Sequence, residues 1–288
     1  MKASYKGAIY LSIAASIWGG MYVTSKYVLD MIPPFTLLFI RYALAAVILI
    51  GWCKKSQTAI IPRQDKGLMF QIGFLGYFLS IAAQFIGTKL SSAHMGAVVT
   101  TLSPVFQSIF AVFLLKEAAS RRQIIAIVLS FTGIIVVTDA VSIVQQESIN
   151  TGNLFFLAAA VLWGYYSVLA KKAAEFHPTL RITTWGILVA TVCALPSAIS
   201  EINSWDVSVL SSSMVLFSIL YIALVSTTLA FYYWNKGLAL TNSHQAGLFI
   251  FLQPIVGSIL GYLLLGEELT LSFLGGALLI LAAVRLSM

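Results

Sequence analysis

Two stretches, "SSAHMGAVVTTLSPVFQSIFAVFLLKE" (residues 91–117) and "TNSHQAGLFIFLQPIVGSILGYLLLGE" (residues 241–267), lie over one another when the chain is shifted by 150 positions. His94 then meets His244, Pro104 meets Pro254, Ser108 meets Ser258 and Glu117 meets Glu267. Leucine matches mean little in apolar sequence; coincident His, Pro and Glu mean more. A shift of 145 aligns the beginnings of two halves, with Gly7, Ala14, Ala15, Trp18, Gly19, Val23, Lys26 and Pro33 falling on their own kind. The chain therefore reads as two copies of one unit, residues 1–145 and 146–288.

Composition decides the solvent. Of 288 residues, 59% are hydrophobic and 9% charged, with a mean hydropathy of +0.94. Soluble domains carry roughly 45–50% apolar and about 25% charged residues. This excess belongs in lipid. The net charge of +7 raises the question of nucleic acid, but the basic residues are scattered in short connectors rather than gathered on a face. Cys53 and Cys193 offer no metal or redox spacing and are expected near opposite membrane faces. The apolar run after "MKASYK" resembles a signal peptide, yet it extends to about Leu29, lacks an A-x-A site and is matched by a later helix. It reads as a retained first helix.

A spanning helix needs about 20 apolar residues. Ten such windows occur, at roughly 7–29, 34–53, 67–88, 92–115, 123–139, 152–173, 179–199, 211–235, 243–265 and 270–287. With the N-terminus inside, the inner connectors collect most of the Lys and Arg, from Lys2 and Lys6 through Lys54, Lys55 and Arg121 to Arg285. The expected protein is thus an all-α, multi-pass protein of the cytoplasmic membrane with both termini cytoplasmic. Five helices per copy is an odd number, so the second copy enters the membrane upside down. Inverted repeats of this kind place a substrate site near the midplane, between the copies.

That centre has its own markers. Trp18-Gly19 and Trp163-Gly164 fall mid-span, where interfacial tryptophans do not belong. Glycine beside each lets a helix or ligand approach closely. Trp18, Tyr22 and Lys26 share one helical face; Trp163, Ser167 and Lys171 share the equivalent one. The lysines read as snorkelling to opposite surfaces. Pro104 and Pro254 also lie mid-span and leave the carbonyls of Thr100 and Ile250 without helical donors. Such breaks are tolerated only against protein or a polar cavity.

The Trp-Gly of the first helix, "FTLLFIRYALAA" (35–46) and "LAFYYWNKGLALTNSHQAGLFIFLQPIVGSILGYLLLGEELT" (229–270) resemble the EamA-type family of the drug/metabolite transporter superfamily. The resemblance covers essentially the whole chain. It implies ten helices in two inverted repeats, a central cavity and export of small metabolites such as amino acids. "LLKE" departs from the family pattern, with Lys116 where glycine usually precedes Glu117.

Polar residues inside the spans are the candidate site. Gln84, Thr101, Gln107, Thr227 and Gln253, with Tyr77, Tyr166, Tyr232 and Tyr233, are able to furnish an amphipathic pocket with the two tryptophans and prolines. Arg41, some seven residues into its helix, is open to two readings: holding a substrate carboxylate, or a structural or gating role. His94 and His244, near the starts of equivalent helices, are candidates for gating or pH sensing because an unperturbed imidazole titrates near 6.5. Glu117 and Glu267 read as structural, Ser120-x-x-Gln123 as a capping box, and Gly257-x-x-x-Gly261 as a packing motif.

No Asp or Glu lies near the middle of any span. This disfavours a cationic substrate and a carboxylate proton relay. The expected function is a secondary transporter exporting small neutral or zwitterionic metabolites by alternating access. The alternative is a channel or lipid translocator, which should show a continuous polar stripe. No hydrolase or metallopeptidase motif is present, and neither metal nor cofactor is expected. The expected partners are a small metabolite and the bilayer, with no nucleic acid; monomer and dimer both stay open.

Overall fold

The computed structural model describes residues 3–61, 64–91, 93–137, 151–265 and 271–287. Glu267, and the side chains of Tyr22 and His94, lie outside the described residues. Every regular element among the described residues is helical. They are α1 (Ala3–Gly19), α2 (Met21–Leu29), α3 (Pro34–Lys55), α4 (Lys66–Leu90), α5 (Ala93–Thr100), α6 (Ser103–Leu115) and α7 (Arg121–Val137). There follow α8 (Thr151–Ala173), α9 (Thr179–Ser200), α10 (Ser213–Leu238), α11 (Ser243–Leu248), α12 (Leu252–Leu265) and α13 (Leu271–Ser287).

Six helices are long and apolar enough to cross a bilayer: α3, α4, α8, α9, α10 and Ser243–Leu260, with α6 and Phe273–Ser287 apolar but shorter. The protein is a multi-span membrane protein. Apolar residues surround each of these helices, and many large ones remain on the outside, among them Val47, Phe113, Val192, Phe217 and Leu278. In water such a surface would be unstable; in hydrocarbon it is the solvated face.

The interruptions have chemical causes. Between α1 and α2 the Tyr221 hydroxyl donates to the Ile17 carbonyl at 2.5 Å, beside Gly20, and the helix breaks there. Between α5 and α6, Pro104 brings no N–H to the Thr100 carbonyl, and Leu102 N–H turns instead to the Val99 carbonyl at 3.1 Å. Between α11 and α12, ahead of Pro254, the chain tightens into a 3-10 turn at Phe249–Phe251. Within α4 and α10 the winding widens to π-helix at Ile72–Leu79 and Tyr221–Leu229, which coincide under the 150-residue shift. The wider turns present carbonyls to neighbours: that of Tyr77 accepts from the Tyr42 hydroxyl, and that of Ser226 from Trp18 Nε1 at 2.9 Å.

Each half sends its first helix into the other. Helix α1 packs on α10 and α12, while α8 packs on α4 and α6. Glycine permits both crossings. A Cβ added to Gly19 would sit 2.8 Å from the Gln253 carbonyl oxygen and 2.9 Å from Val256 Cβ; one added to Gly164 would meet Gln107 N at 2.6 Å and Phe106 Cβ at 2.9 Å. Gly19 corresponds to Gly164 and Val256 to Phe106, so one contact occurs twice. Gly257, read as part of a packing motif, approaches the Gly19 carbonyl within the same chain. Helices α7 and α13 form a separate pair with its own core of Ile134, Phe273, Ile280 and neighbours, drawn close at Gly133 against the Gly276 carbonyl.

Candidate functional site

Where the inserted helices meet, a cavity opens. Its wall takes Trp18, Met21, Arg41, Ser80, Gln84 and Ser103 from the first half and Ala160, Trp163, Phe231, Ile250 and Gln253 from the second. Its volume is about 50 Å³. That is well below the roughly 300–1,000 Å³ of small-molecule sites. It holds a few waters, at roughly 10–15 Å³ each, and a metabolite enters only if the walls part.

The floor is aromatic. Trp18 and Trp163 meet edge to face with ring centroids 5.1 Å apart, and both contact Phe231 and Trp234. Their polar ends differ. Trp18 is 4% exposed and its N–H is spent on Ser226. Trp163 Nε1 is buried and has no hydrogen-bond partner among the described residues. A buried unpartnered donor costs roughly 1–3 kcal/mol, and this one belongs to a side chain on the cavity wall.

Arg41 is fully buried. Its Nε donates to Thr227 Oγ1 at 2.8 Å, and among the described residues Nη1 and Nη2 approach only the Met21 sulfur, at 3.9 and 4.0 Å. The guanidinium carbon lies 5.4 and 5.3 Å from the ring centres of Tyr42 and Phe85, a cation–π setting. Among the described residues no carboxylate comes within 4.0 Å of it.

Of the residues nominated by sequence, the cavity therefore gathers Trp18, Trp163, Gln84, Gln253 and Arg41. Thr227 stands behind Arg41 as its acceptor. Tyr77 and Tyr166 lie off the wall. Both are fully buried in a network in which Tyr166 donates to Asn235 Oδ1 at 2.7 Å and Asn235 Nδ2 donates to Tyr77 and Thr183 at 2.7 and 2.9 Å. Tyr77 fills the space left by Gly186, and Tyr166 that left by Gly76, so close helix packing takes both rings away from the cavity. Tyr232 also lies apart, against Trp52 and Tyr233. Pro104 rests on Gly247, and Gln107 Nε2 donates to the Ser243 carbonyl at 2.8 Å, joining α6 to α11. Thr101 is buried at the α5–α6 break, and Pro254 stands beside Gln253 at the start of α12.

The lysines do not snorkel freely. Lys26 Nζ donates to the carbonyls of Thr88 and Ser91 at 3.0 and 3.3 Å, closing the end of α4. Lys171 Nζ donates to the Thr241 carbonyl at 2.7 Å, just past α10. Ser91 and Thr241 are equivalent positions, and each lysine satisfies carbonyls a helix end leaves free. Lys171 also pairs with Glu117 at 2.6 Å, and Glu117 accepts the Ser243 N–H at 2.9 Å. Partial burial opposes ionisation of this carboxyl, but the Lys171 hydrogen bond and the Ser243 N–H outweigh it and hold Glu117 below its usual range. His244 is fully buried, with Nε2 2.9 Å from the Glu117 carbonyl, an acceptor only, so Nε2 carries the proton. The cluster ties the end of α6 to α8 and α11. Ser120 and Gln123 exchange the two bonds of a capping box at the start of α7, as their spacing suggested.

The model of the EamA-like transporter family matches residues 5–139 and again 150–288. The chain belongs to that family. Among EamA-like relatives, "Uncharacterized transporter YetK" of Bacillus subtilis is 27% identical over 264 residues, covering 90% of this chain and 80% of its own. The "Probable amino-acid metabolite efflux pump" of Salmonella typhimurium is 26% identical over 290 residues, 99% of this chain and 95% of its own. A crystal structure with 19% sequence identity superposes with a TM-score of 0.82 over 100% of this chain and 97% of the other, a likeness of fold alone. These relatives are named as transporters and pumps. The chain is a membrane transporter and not an enzyme.

Proposed function

We propose that this EamA-like protein is a secondary transporter that exports small metabolites, amino acids or compounds related to them, by alternating access. The carrying observation is the cavity whose wall is shared by both halves, with Trp18 and Trp163 in contact on its floor. The doubled glycine crossings, the paired π segments and the lysine caps at Lys26 and Lys171 all support ten helices in two inverted copies, residues 1–145 and 146–288. Two copies packed by equivalent contacts at opposite ends can exchange which end is tight without new chemistry. The similarity to an amino-acid metabolite efflux pump supports the direction and the substrate class. The excess of Lys and Arg in the inner connectors supports cytoplasmic termini in the cell membrane.

The test is counterflow in sealed vesicles containing purified protein, screened over a metabolite panel at equal pH. It is repeated with an imposed proton gradient and no substrate gradient. Saturable exchange lost in Trp18→Ala and Trp163→Ala supports the reading. Flux that never saturates supports a channel instead. Net accumulation driven by protons alone identifies a coupled transporter, and its loss in both His94→Gln and His244→Gln assigns the coupling to those residues; exchange without it identifies a facilitator.

A further inference from the structure

We propose that Arg41 is a carboxylate-binding residue of the cavity, and that the substrate is an organic carboxylate with an apolar or aromatic body. The inference rests on the transporter reading and adds the chemistry of its site. A guanidinium removed from water needs a counter-charge or full hydrogen bonding, and without them its desolvation costs several kcal/mol. Arg41 has neither. One of its nitrogens has a good acceptor in Thr227; the other two face a thioether, which is a weak one.

Among the described residues no carboxylate supplies the missing anion. The ten acidic residues all lie outside the middle of the spans. Two near helix ends are engaged: Glu117 with Lys171, and Glu201 with the N–H and hydroxyl of Thr36 at the start of α3. Hence the cavity carries formal positive charge and no formal negative charge among the described residues. It rejects an amine-only substrate and suits an anion.

Geometry selects the kind of anion. Nη1 and Nη2 form the flat end of the fork that pairs with two carboxylate oxygens. Met21, whose unbranched side chain re-packs at small cost, is the group an incoming carboxylate displaces. Beyond the fork the wall includes Trp18, Trp163, Phe231 and Ile250, which accept an apolar or ring-bearing body, beside the amides of Gln84 and Gln253. The unpartnered Trp163 N–H supplies a further donor. Nothing on the wall demands an α-ammonium group, so a plain carboxylic acid should bind as well as the amino acid that carries it.

The experiment measures equilibrium binding to the purified full chain in detergent with four probes sharing one phenylpropyl body. These are 3-phenylpropanoate, L-phenylalanine, 3-phenylpropanamide and 3-phenylpropylamine. The expected result is saturable binding of both carboxylates, with the amide and amine at least about tenfold weaker. Arg41→Lys, which keeps the charge but not the fork, should weaken the carboxylates several-fold. Arg41→Gln should abolish the preference for acid over amide. Should Arg41→Gln fail to fold, the four-probe series on the unaltered protein decides alone, with Trp163→Phe reducing affinity for the carboxylates as second evidence. Equal binding of acid and amide, or no saturable binding of either carboxylate, overturns the assignment. Vesicle exchange separates this from the broader reading. Flux of a neutral compound sensitive to Trp18→Ala keeps the transporter and removes the carboxylate site; carboxylate binding with no flux of any compound does the reverse.

Discussion

The Glu117–Lys171 pair offers the most direct test of the packing between halves. The perturbation is Glu117→Gln, which keeps the shape and removes the charge. At 2.6 Å, with an effective dielectric of about 20, the Coulomb attraction is about 6 kcal/mol. The side chains are 17% and 20% exposed, and desolvation offsets most of that figure, so the net loss falls between an exposed pair, at about 0–1 kcal/mol, and a buried one, at about 3–5 kcal/mol. About 1–3 kcal/mol is expected. The assay is thermal unfolding in detergent of the wild type, Glu117→Gln, Lys171→Met and the double variant, which gives the coupling directly. The pH dependence follows from the sign. Glu117 is held below its ordinary value of 4.5, so its contribution is complete above that pH and is lost as pH falls through the lower, folded value. The difference between wild type and Glu117→Gln should therefore be constant from pH 8 to 6 and shrink below pH 4.5. Coupling under about 0.3 kcal/mol, or a difference that persists unchanged at pH 3.5, would refute the reasoning.

Three further outcomes are expected. Gly19→Ala and Gly164→Ala should each destabilise the fold by about 1–3 kcal/mol, because their added methyls strike backbone atoms that cannot turn aside. Gly275→Ala, with nothing within 4 Å, is the control, and equal melting of all three variants would count against the doubled crossing. Trp163→Phe relieves an unpartnered buried N–H, which offsets the ring packing it loses, so thermal stability should fall by no more than about 0.5 kcal/mol while saturable exchange is cut. Trp18→Phe instead forfeits a bond to Ser226 and should lower the melting temperature. Asn235→Leu removes the acceptor of the Tyr166 hydroxyl and a donor to Tyr77, leaving the 3.2 Å bond between the two hydroxyls, and should cost about 1–3 kcal/mol; a neutral result in the same melt would show the network to be dispensable.

A helical membrane protein of repeated pattern was legible because Trp, Pro, Gly and Lys recur where apolar letters carry no information. The equivalences of Trp18 with Trp163 and of Lys26 with Lys171 could be read directly, and the structure gives each pair a shared or matching contact. The π segments were illegible, since a run such as Ile72–Leu79 carries no charge and shows no change of period. Tyr77 and Tyr166 read as pocket residues because both are hydroxyl-bearing and lie within spans. Which way a helical side chain faces depends on the partner helix, here set by Gly186 and Gly76, and spacing along one chain does not reveal it. Asn235 went unremarked for a related reason: it stands beside Lys236 in what reads as an interfacial stretch, while its side chain turns inward to two tyrosines. The lysines were given to the surface because no hydropathy pattern marks carbonyls at the end of another helix as acceptors.

The insertion of α1 between α10 and α12 has a consequence for biosynthesis. A ribosome delivers Trp18 to the membrane long before it has made Ser226, the residue that satisfies its indole. Until then the first helix has neither its glycine crossing nor its hydrogen bond, and waits in lipid as a loosely held monomeric rod. The second half meets no such delay, since α8 emerges after α4 and α6 are in place. Its docking can begin during translation, whereas α1 must be captured late, over a loop of some two hundred residues whose closure entropy grows only slowly with length. A chaperone or insertase that shields nascent membrane segments should accordingly hold the first helix longest. A half gene expressed alone should leave its opening helix without a berth, and the two halves supplied on separate messages should find each other only by exchanging these helices.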